Sequence, residues 1–134
     1  NEKIGGIQDK PQLVVVVPSL DTPVCEMEAK KFNEQTASID GIDTIVVSMD
    51  LPFASARFCQ TAGIKHIKVC SDFRNKEFSN KYGVLIEDGP LAGVTCRAIF
   101  VISKEGKVVY KELVSEITNE PNYELALNAI KAEL

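Results

Sequence analysis

Four cysteines, Cys25, Cys59, Cys70 and Cys96, are the residues of this sequence that could carry redox, metal or disulfide chemistry. Their separations of 34, 11 and 26 positions contain no C-x-x-C pair, and the only histidine, His66, has no second histidine with which to share a zinc ion. We therefore expect no metal and no other cofactor. The sequence contains no export signal, and reducing compartments disfavour stable disulfides. Catalytic cysteines or inert, buried ones remain as the two alternatives.

The position of Cys25 is compatible with chemistry at this residue. The stretch VVVVPSLDTPVC, which ends at Cys25, runs from an apolar strand through a turn into the start of a helix. Thr22 is a good N-cap residue and Pro23 is favoured at the first helical position, so Cys25 falls at the third. Unpaired backbone N–H groups and the positive end of the helix dipole stabilise a thiolate there. Position alone equally permits a small buried side chain at the start of a core helix.

The apolar pattern predicts alternating strands and helices. Continuous β-branched runs are typical of buried strands, and apolar residues three and four positions apart are typical of amphipathic helices. The order β-α-β-α-β-α-β-β-α predicts an α/β, thioredoxin-like fold, with helices flanking a central mixed sheet that an antiparallel hairpin closes. The predicted strands are Leu13–Val17, Thr44–Met49, Ile67–Cys70, Ala98–Ser103 and Lys107–Val114; the predicted helices are residues 23–38, Phe53–Ala62, Asn75–Tyr82 and the segment from Pro121 to the C-terminus.

The first predicted helix places Cys25 on its apolar face, together with Ala29, Phe32 and Thr36. Its charged residues are predicted to lie on the other faces; they are Glu26, Glu28, Lys30, Lys31 and Glu34. The acidic residues nearest to Cys25 oppose a thiolate, so a cation must lie close to the sulfur if the thiolate is to persist.

Composition limits the class of protein. The chain of 134 residues is 45% hydrophobic, which fits a single domain over residues 1–134. Its net charge of −4 and the absence of a dense run of Lys or Arg make nucleic acid an unlikely partner. The longest apolar run, Leu13–Val17, is far shorter than the about 20 residues of a membrane span, and we expect a cytoplasmic protein. The first strand follows Asn1 closely, so we expect that an N-terminal segment is missing.

Several longer blocks resemble one known family. The pattern Pro18-x-x-x-Thr22-x-x-Cys25 resembles the peroxidatic-cysteine motif of the peroxiredoxins. In order and spacing, the blocks PSLDTPVC, SMDLPFASARFC, SDFRNKEFSNKYGV, EDGPLAGVTCRAIFVI and EITNEPNYELALNAIK are similar to the bacterial thiol peroxidases, the atypical two-cysteine branch. The similarity extends over nearly the whole chain from Leu13 onward.

The resemblance implies a thiol peroxidase that reduces hydrogen peroxide and alkyl hydroperoxides, is recycled by thioredoxin and forms a homodimer. It implies that Cys25 is the peroxidatic cysteine, which becomes a sulfenic acid, and that Cys59 is the resolving cysteine, which forms an intrachain disulfide with it. Thr22 would hydrogen-bond the thiolate and the peroxide, Pro18 would shield the sulfenate, and Arg97 would supply the cation.

Other interpretations of these residues stay open at this stage. Arg97, at a strand end, could instead pair with an acidic neighbour such as Asp50. Cys59 could be a structural residue of its helix, which would leave a peroxiredoxin that uses Cys25 alone or forms its disulfide between chains. A non-catalytic redox sensor or binding module with a thioredoxin fold is the rival from another class of protein. We expect Cys70 and Cys96 to be inert.

Overall fold

The computed structural model describes residues 2–134, in which four helices flank a five-stranded sheet. The strands are β1 Gln12–Val16, β2 Asp43–Ser48, β3 Lys68–Ser71, β4 Ala98–Ile102 and β5 Val108–Leu113. The helices are α1 Pro23–Thr36, α2 Pro52–Ala62, α3 Glu77–Tyr82 and α4 Tyr123–Lys131.

The sheet has the mixed architecture that the sequence predicts. Its strand order is β3-β2-β1-β4-β5, in which β1, β2 and β3 are parallel, β4 is antiparallel to β1, and β5 is antiparallel to β4. At its carboxyl end β1 pairs Val16 with Val47 of β2 on one side and with Ala98 of β4 on the other. The N-terminal end of β4 therefore lies beside the point where β1 leads into α1.

The two faces of the sheet bury different helices. Because side chains alternate along a strand, Val15 and Ile99 point to one face and Val14 and Phe100 to the other. We call the first the α1 face, since α1, α2 and α4 pack on it; its other buried side chains include Leu13, Cys25, Ala29, Phe32, Ala126 and Ile130. We call the second the α3 face, which buries Val16, Ile45, Phe78 and Val84 among others.

The element boundaries follow the prediction closely, apart from four helix ends. Every strand boundary lies within one residue of its predicted place, and Gly63, in the left-handed region at φ 69°, ends α2 as predicted. By contrast, α1 ends at Thr36, two residues early. Helix α3 begins two residues late, because Lys76 before it is itself left-handed at φ 54°.

The last helix begins two residues later than predicted and ends at Lys131 instead of reaching the C-terminus. Pro121 lies outside it, and Asn122 is the N-cap residue, whose side chain accepts a hydrogen bond from the backbone N–H of Leu125. None of the helices within residues 2–134 is both long and apolar enough to cross a membrane.

Candidate active site

The loop between β1 and α1 is fixed at its start by the ends of two other segments. The N–H of Val17 donates to the carbonyl of Val47 at 3.0 Å, and the hydroxyl of Thr95 donates to the carbonyl of Val17 at 2.7 Å. Pro18, which follows, is buried. The chain therefore leaves the sheet at a defined point, and six residues connect β1 to α1.

Cys25 lies in the first turn of α1, as the sequence predicts, and its side chain has no exposed surface. Thr22 is the N-cap residue, with an extended backbone at φ −113° and ψ 148°, but its hydroxyl does not cap the helix. The hydroxyl donates instead to the carbonyl of Ser19 at 3.0 Å. Since a hydroxyl has one proton and two lone pairs, this leaves the Thr22 oxygen as an acceptor.

Strand alternation directs Arg97 toward the sulfur. Arg97 precedes β4 and has the same parity as Ile99 and Val101, so its side chain points to the α1 face. The guanidinium Nη1 donates to Cys25 Sγ at 3.3 Å, and the Arg97 side chain is only 2% exposed. The structure therefore provides a cation beside the sulfur.

The Arg97 guanidinium is held in place by two further groups. Nη1 also donates to Glu28 Oε2 at 2.7 Å, whereas Nε and Nη2 both donate to the carbonyl of Ile117, at 3.1 and 2.6 Å. Because the guanidinium is planar, bonds on two of its edges fix its orientation. The acidic partner of Arg97 is thus Glu28 and not Asp50, which bonds to other residues.

The prediction that Glu28 lies on a different face of α1 from Cys25 is wrong. Its side chain is fully buried, because position 28 lies one turn beyond Cys25 on the same helix face. There the Glu28 carboxyl forms an ion pair with Arg97. Burial raises the pKa of Glu28 to about 7, although the hydrogen bond from Arg97 opposes this. Its other oxygen, Oε1, has no hydrogen-bond partner among the described residues.

The protonation of Glu28 affects the sulfur through Arg97. Sγ of Cys25 and Oε2 of Glu28 are bonded to the same nitrogen, so they share one positive charge. A neutral Glu28 leaves that charge to stabilise a thiolate, whereas an ionised Glu28 competes for it. The spacing of Cys25 and Glu28, three residues apart on one helix face, is the sequence signal that could have identified this carboxyl group.

The four cysteines divide between the two faces of the sheet. Cys59, on α2, is half-buried against the α1 face, where Cys25 also lies. Cys70 and Cys96 pack against the α3 face. Cys70 lies on β3, which is three strands from β4, so Cys70 and Cys96 are at least about 14 Å apart, beyond disulfide range.

Burial raises the thiol pKa of three of the cysteines, Cys59, Cys70 and Cys96. All four are free thiols. Burial raises the pKa of Cys70 to about 11 and raises the pKa of Cys96, so both are protonated at neutral pH. Since the thiolate is the nucleophile, these two are poor nucleophiles, as expected of inert residues. Burial also raises the pKa of Cys59, which is a neutral thiol in this conformation.

A thioredoxin-like sheet with a buried thiol at a helix N-terminus beside an arginine defines a class of thiol-dependent proteins, and comparisons with known proteins agree. The family model described as Redoxin matches residues 3–127. A thiol peroxidase of Aquifex aeolicus is 56% identical over 96% of this chain and 75% of its own length. A thiol peroxidase of Campylobacter jejuni is 60% identical over 87% of this chain and 66% of its own length.

The comparison of structures gives the same result. A crystal structure of a peroxiredoxin-like protein from Aquifex aeolicus superposes with a TM-score of 0.95 at 54% identity, over 98% of this chain and 76% of the other. The chain belongs to the Redoxin family, in its thiol peroxidase branch. The resemblance that the sequence blocks indicated, and the thioredoxin-like fold, are confirmed.

The raised pKa of Glu28 predicts a specific dependence of stability on pH. In the folded protein Glu28 retains its proton up to about pH 7, whereas in the unfolded chain it releases the proton near pH 4.5. This contribution to stability is therefore complete below pH 4.5 and is lost as the pH rises through 7. Between these limits the wild type should lose roughly 3 kcal/mol of unfolding free energy that Glu28→Gln does not lose. Urea unfolding in reductant across this pH range measures the difference.

Glu26→Gln is the matched control, since it removes the same charge from the same helix at a partly exposed side chain, 46% accessible and paired with Lys30. This variant should follow the wild-type pH dependence. Parallel curves for the wild type and Glu28→Gln would show that Glu28 is ionised throughout.

Proposed function

We propose that this protein is a thiol peroxidase that reduces hydrogen peroxide and alkyl hydroperoxides, with Cys25 as the peroxidatic and Cys59 as the resolving cysteine. The observation that carries the proposal is the Cys25 sulfur at the N-terminus of α1 with the Arg97 guanidinium 3.3 Å away. The names of the relatives in the same family support it.

In the first step the Cys25 thiolate attacks one oxygen of the peroxide. A sulfur–oxygen bond forms as the O–O bond breaks, and the leaving alkoxide or hydroxide takes a proton to become an alcohol or water. Arg97 stabilises the negative charge as it moves from sulfur to the leaving oxygen. Thr22, whose hydroxyl proton is bonded to Ser19, accepts a hydrogen bond from the peroxide O–H. Cys25 becomes a sulfenic acid, which the buried Pro18 shields from solvent.

In the second step the thiol of Cys59 attacks the sulfenic acid of Cys25, and a disulfide forms as water leaves. A disulfide requires Cα atoms within about 7 Å of each other. Cys25 and Cys59 each lie within a helix, and we infer that these helices open locally so that the two sulfurs can meet. A peroxide also needs a small displacement of loop 18–22, because the Cys25 sulfur is fully buried.

The packing of the two helices suggests which of them moves further. Helix α1 buries five side chains, whereas α2 buries only Ser55, and its hydroxyl has no hydrogen-bond partner among the described residues. A buried, unpaired hydroxyl is destabilising. Helix α2 has only 11 residues, and helices of this length are marginal without packing. We therefore assign the larger movement to α2.

An external dithiol must then reduce the disulfide by exchange, which regenerates both thiols and oxidises the dithiol. We propose thioredoxin for this role, in the cytoplasm, where thiols are kept reduced. We also propose a homodimer. Phe53, at the start of α2, is 84% exposed. A large apolar side chain at this position would be buried if a second copy of the chain packed against it.

Cysteine substitutions test the assignment of roles. Cys25→Ser should abolish thioredoxin-dependent peroxide consumption, because it removes the nucleophile. Cys59→Ser should react once with peroxide and then stop at the sulfenic acid. The double variant Cys70→Ser, Cys96→Ser is the control and should turn over like the wild type, since both residues lie on the opposite face of the sheet.

Mass spectrometry after one equivalent of peroxide identifies the product. An intrachain Cys25–Cys59 disulfide is expected. A crosslinked dimer or a lasting sulfenic acid in the wild type would show that Cys59 is structural. A wild type that consumes no peroxide with thioredoxin present would instead support a non-catalytic redox sensor.

Hydrogen exchange tests the movement of the helices. In the reduced protein the amides of residues 52–62 should exchange faster than those of residues 26–36, because α2 is the less buried helix. Oxidation to the disulfide should raise the exchange of residues 22–28 and 52–62, whereas α4 serves as an internal control. Equal protection of both segments in the two redox states would exclude local opening.

A further inference from the structure

Asp50 connects the loop that leads to Cys25 with the segment that leads to Cys59. Its carboxylate accepts three hydrogen bonds: from the hydroxyl of Ser19 at 2.7 Å, from the N–H of Leu20 at 2.7 Å and from the hydroxyl of Ser48 at 2.9 Å. Ser48 is the last residue of β2 and has no exposed surface. The carboxylate therefore fastens loop 18–22 to a rigid strand end.

The position of Asp50 in the chain makes this contact relevant to both cysteines. On one side it holds Ser19 and Leu20, which lie between the buried Pro18 and the N-cap residue Thr22. On the other side α2 begins only two residues after Asp50. The first turn of α1 continues directly from the fastened loop, so the turn that carries Cys25 opens more easily once these bonds are broken.

We propose that Asp50 is a positioning residue that holds loop 18–22 closed and thereby sets how often Cys25 becomes available to Cys59. This inference rests on the proposed function, because it concerns the step in which the sulfenic acid is resolved. The closed loop keeps Cys25 beside Arg97, where a second peroxide can oxidise the sulfenic acid to a sulfinic acid with release of water or an alcohol. The open loop lets Cys59 form the disulfide instead.

The proposal predicts that Asp50→Ala shifts the sulfenic acid toward the disulfide. Loss of hydrogen bonds to a charged acceptor corresponds to at least about a tenfold change in the opening equilibrium. The peroxide concentration at which half of Cys25 becomes sulfinic acid should rise by about the same factor. Quantitative mass spectrometry of Cys25 after peroxide titration, with thioredoxin recycling the protein, measures this concentration.

The chain offers a matched control in Asp72. Its carboxylate also accepts three hydrogen bonds, from the N–H of Phe78 and from the N–H and hydroxyl of Ser79, at 3.1, 2.8 and 2.5 Å. These bonds fasten α3, on the opposite face of the sheet from both redox cysteines. Asp72→Ala should therefore lower global stability without changing the proportion of sulfinic acid to disulfide.

A second measurement separates this inference from the peroxidase activity. Hydrogen exchange of the reduced proteins should show faster exchange of residues 19–26 in Asp50→Ala, at least about tenfold, and wild-type exchange there in Asp72→Ala. Ser19→Ala removes only one bond to the carboxylate and should give a smaller change in the same direction, which provides a test if Asp50→Ala does not fold.

The outcomes are distinct. Unchanged exchange of residues 19–26 in both Asp50→Ala and Ser19→Ala would overturn the inference, whatever the activity. Faster exchange with an unchanged or lower peroxide concentration for sulfinic acid formation would also overturn it. A wild type that exchanges as expected but consumes no peroxide would refute the proposed function and leave the positioning of the loop by Asp50 established.

Discussion

The guanidinium of Arg97 is the interaction on which the site depends. It bonds to the sulfur of Cys25, the carboxyl of Glu28 and the carbonyl of Ile117, so it joins α1, the start of β4 and the segment after β5. A buried guanidinium is stable only when its donors are satisfied. If Glu28 were fully ionised, it would neutralise the charge that the sulfur needs. Burial keeps Glu28 largely protonated up to about neutral pH. The positive charge of Arg97 therefore stays available to stabilise a thiolate at Cys25.

The register of the sheet places this cation. Arg97 and Cys96 are adjacent in sequence but point to opposite faces, because side chains alternate along the strand. A shift of β4 by one residue would exchange them and would put a thiol where the guanidinium belongs. In the observed register Val16 pairs with Ala98, and this places Arg97 on the α1 face. The chemistry near Cys25 is thus a consequence of strand pairing as much as of local sequence.

Much of this could be predicted from the sequence, and the exceptions have a common cause. Strands such as β1 are predictable because continuous β-branched runs are buried on both faces, and α2 because Gly63 ends it. The start of α3 was missed because Lys76 before it is left-handed, and because the N–H groups of Phe78 and Ser79 in its first turn bond to Asp72 outside the helix. Glu28 was missed because a charged residue in a helix is usually exposed, and its partner lies 69 positions away. The local sequence around Glu28 does not show that Arg97 will lie beside it in the folded protein.

The unequal packing of α1 and α2 gives the proposed cycle a physical basis. The first step needs Cys25 to stay beside Arg97, and α1 provides this by burying Phe32 and Ala29 in the core. The second step needs a cysteine that can move at small cost in free energy, and α2, with most of its side chains exposed, provides Cys59. If both helices were equally well packed, resolution would require partial unfolding of the core. If both were loosely packed, Arg97 would have no fixed sulfur to stabilise. A chain that does both steps therefore needs this asymmetry.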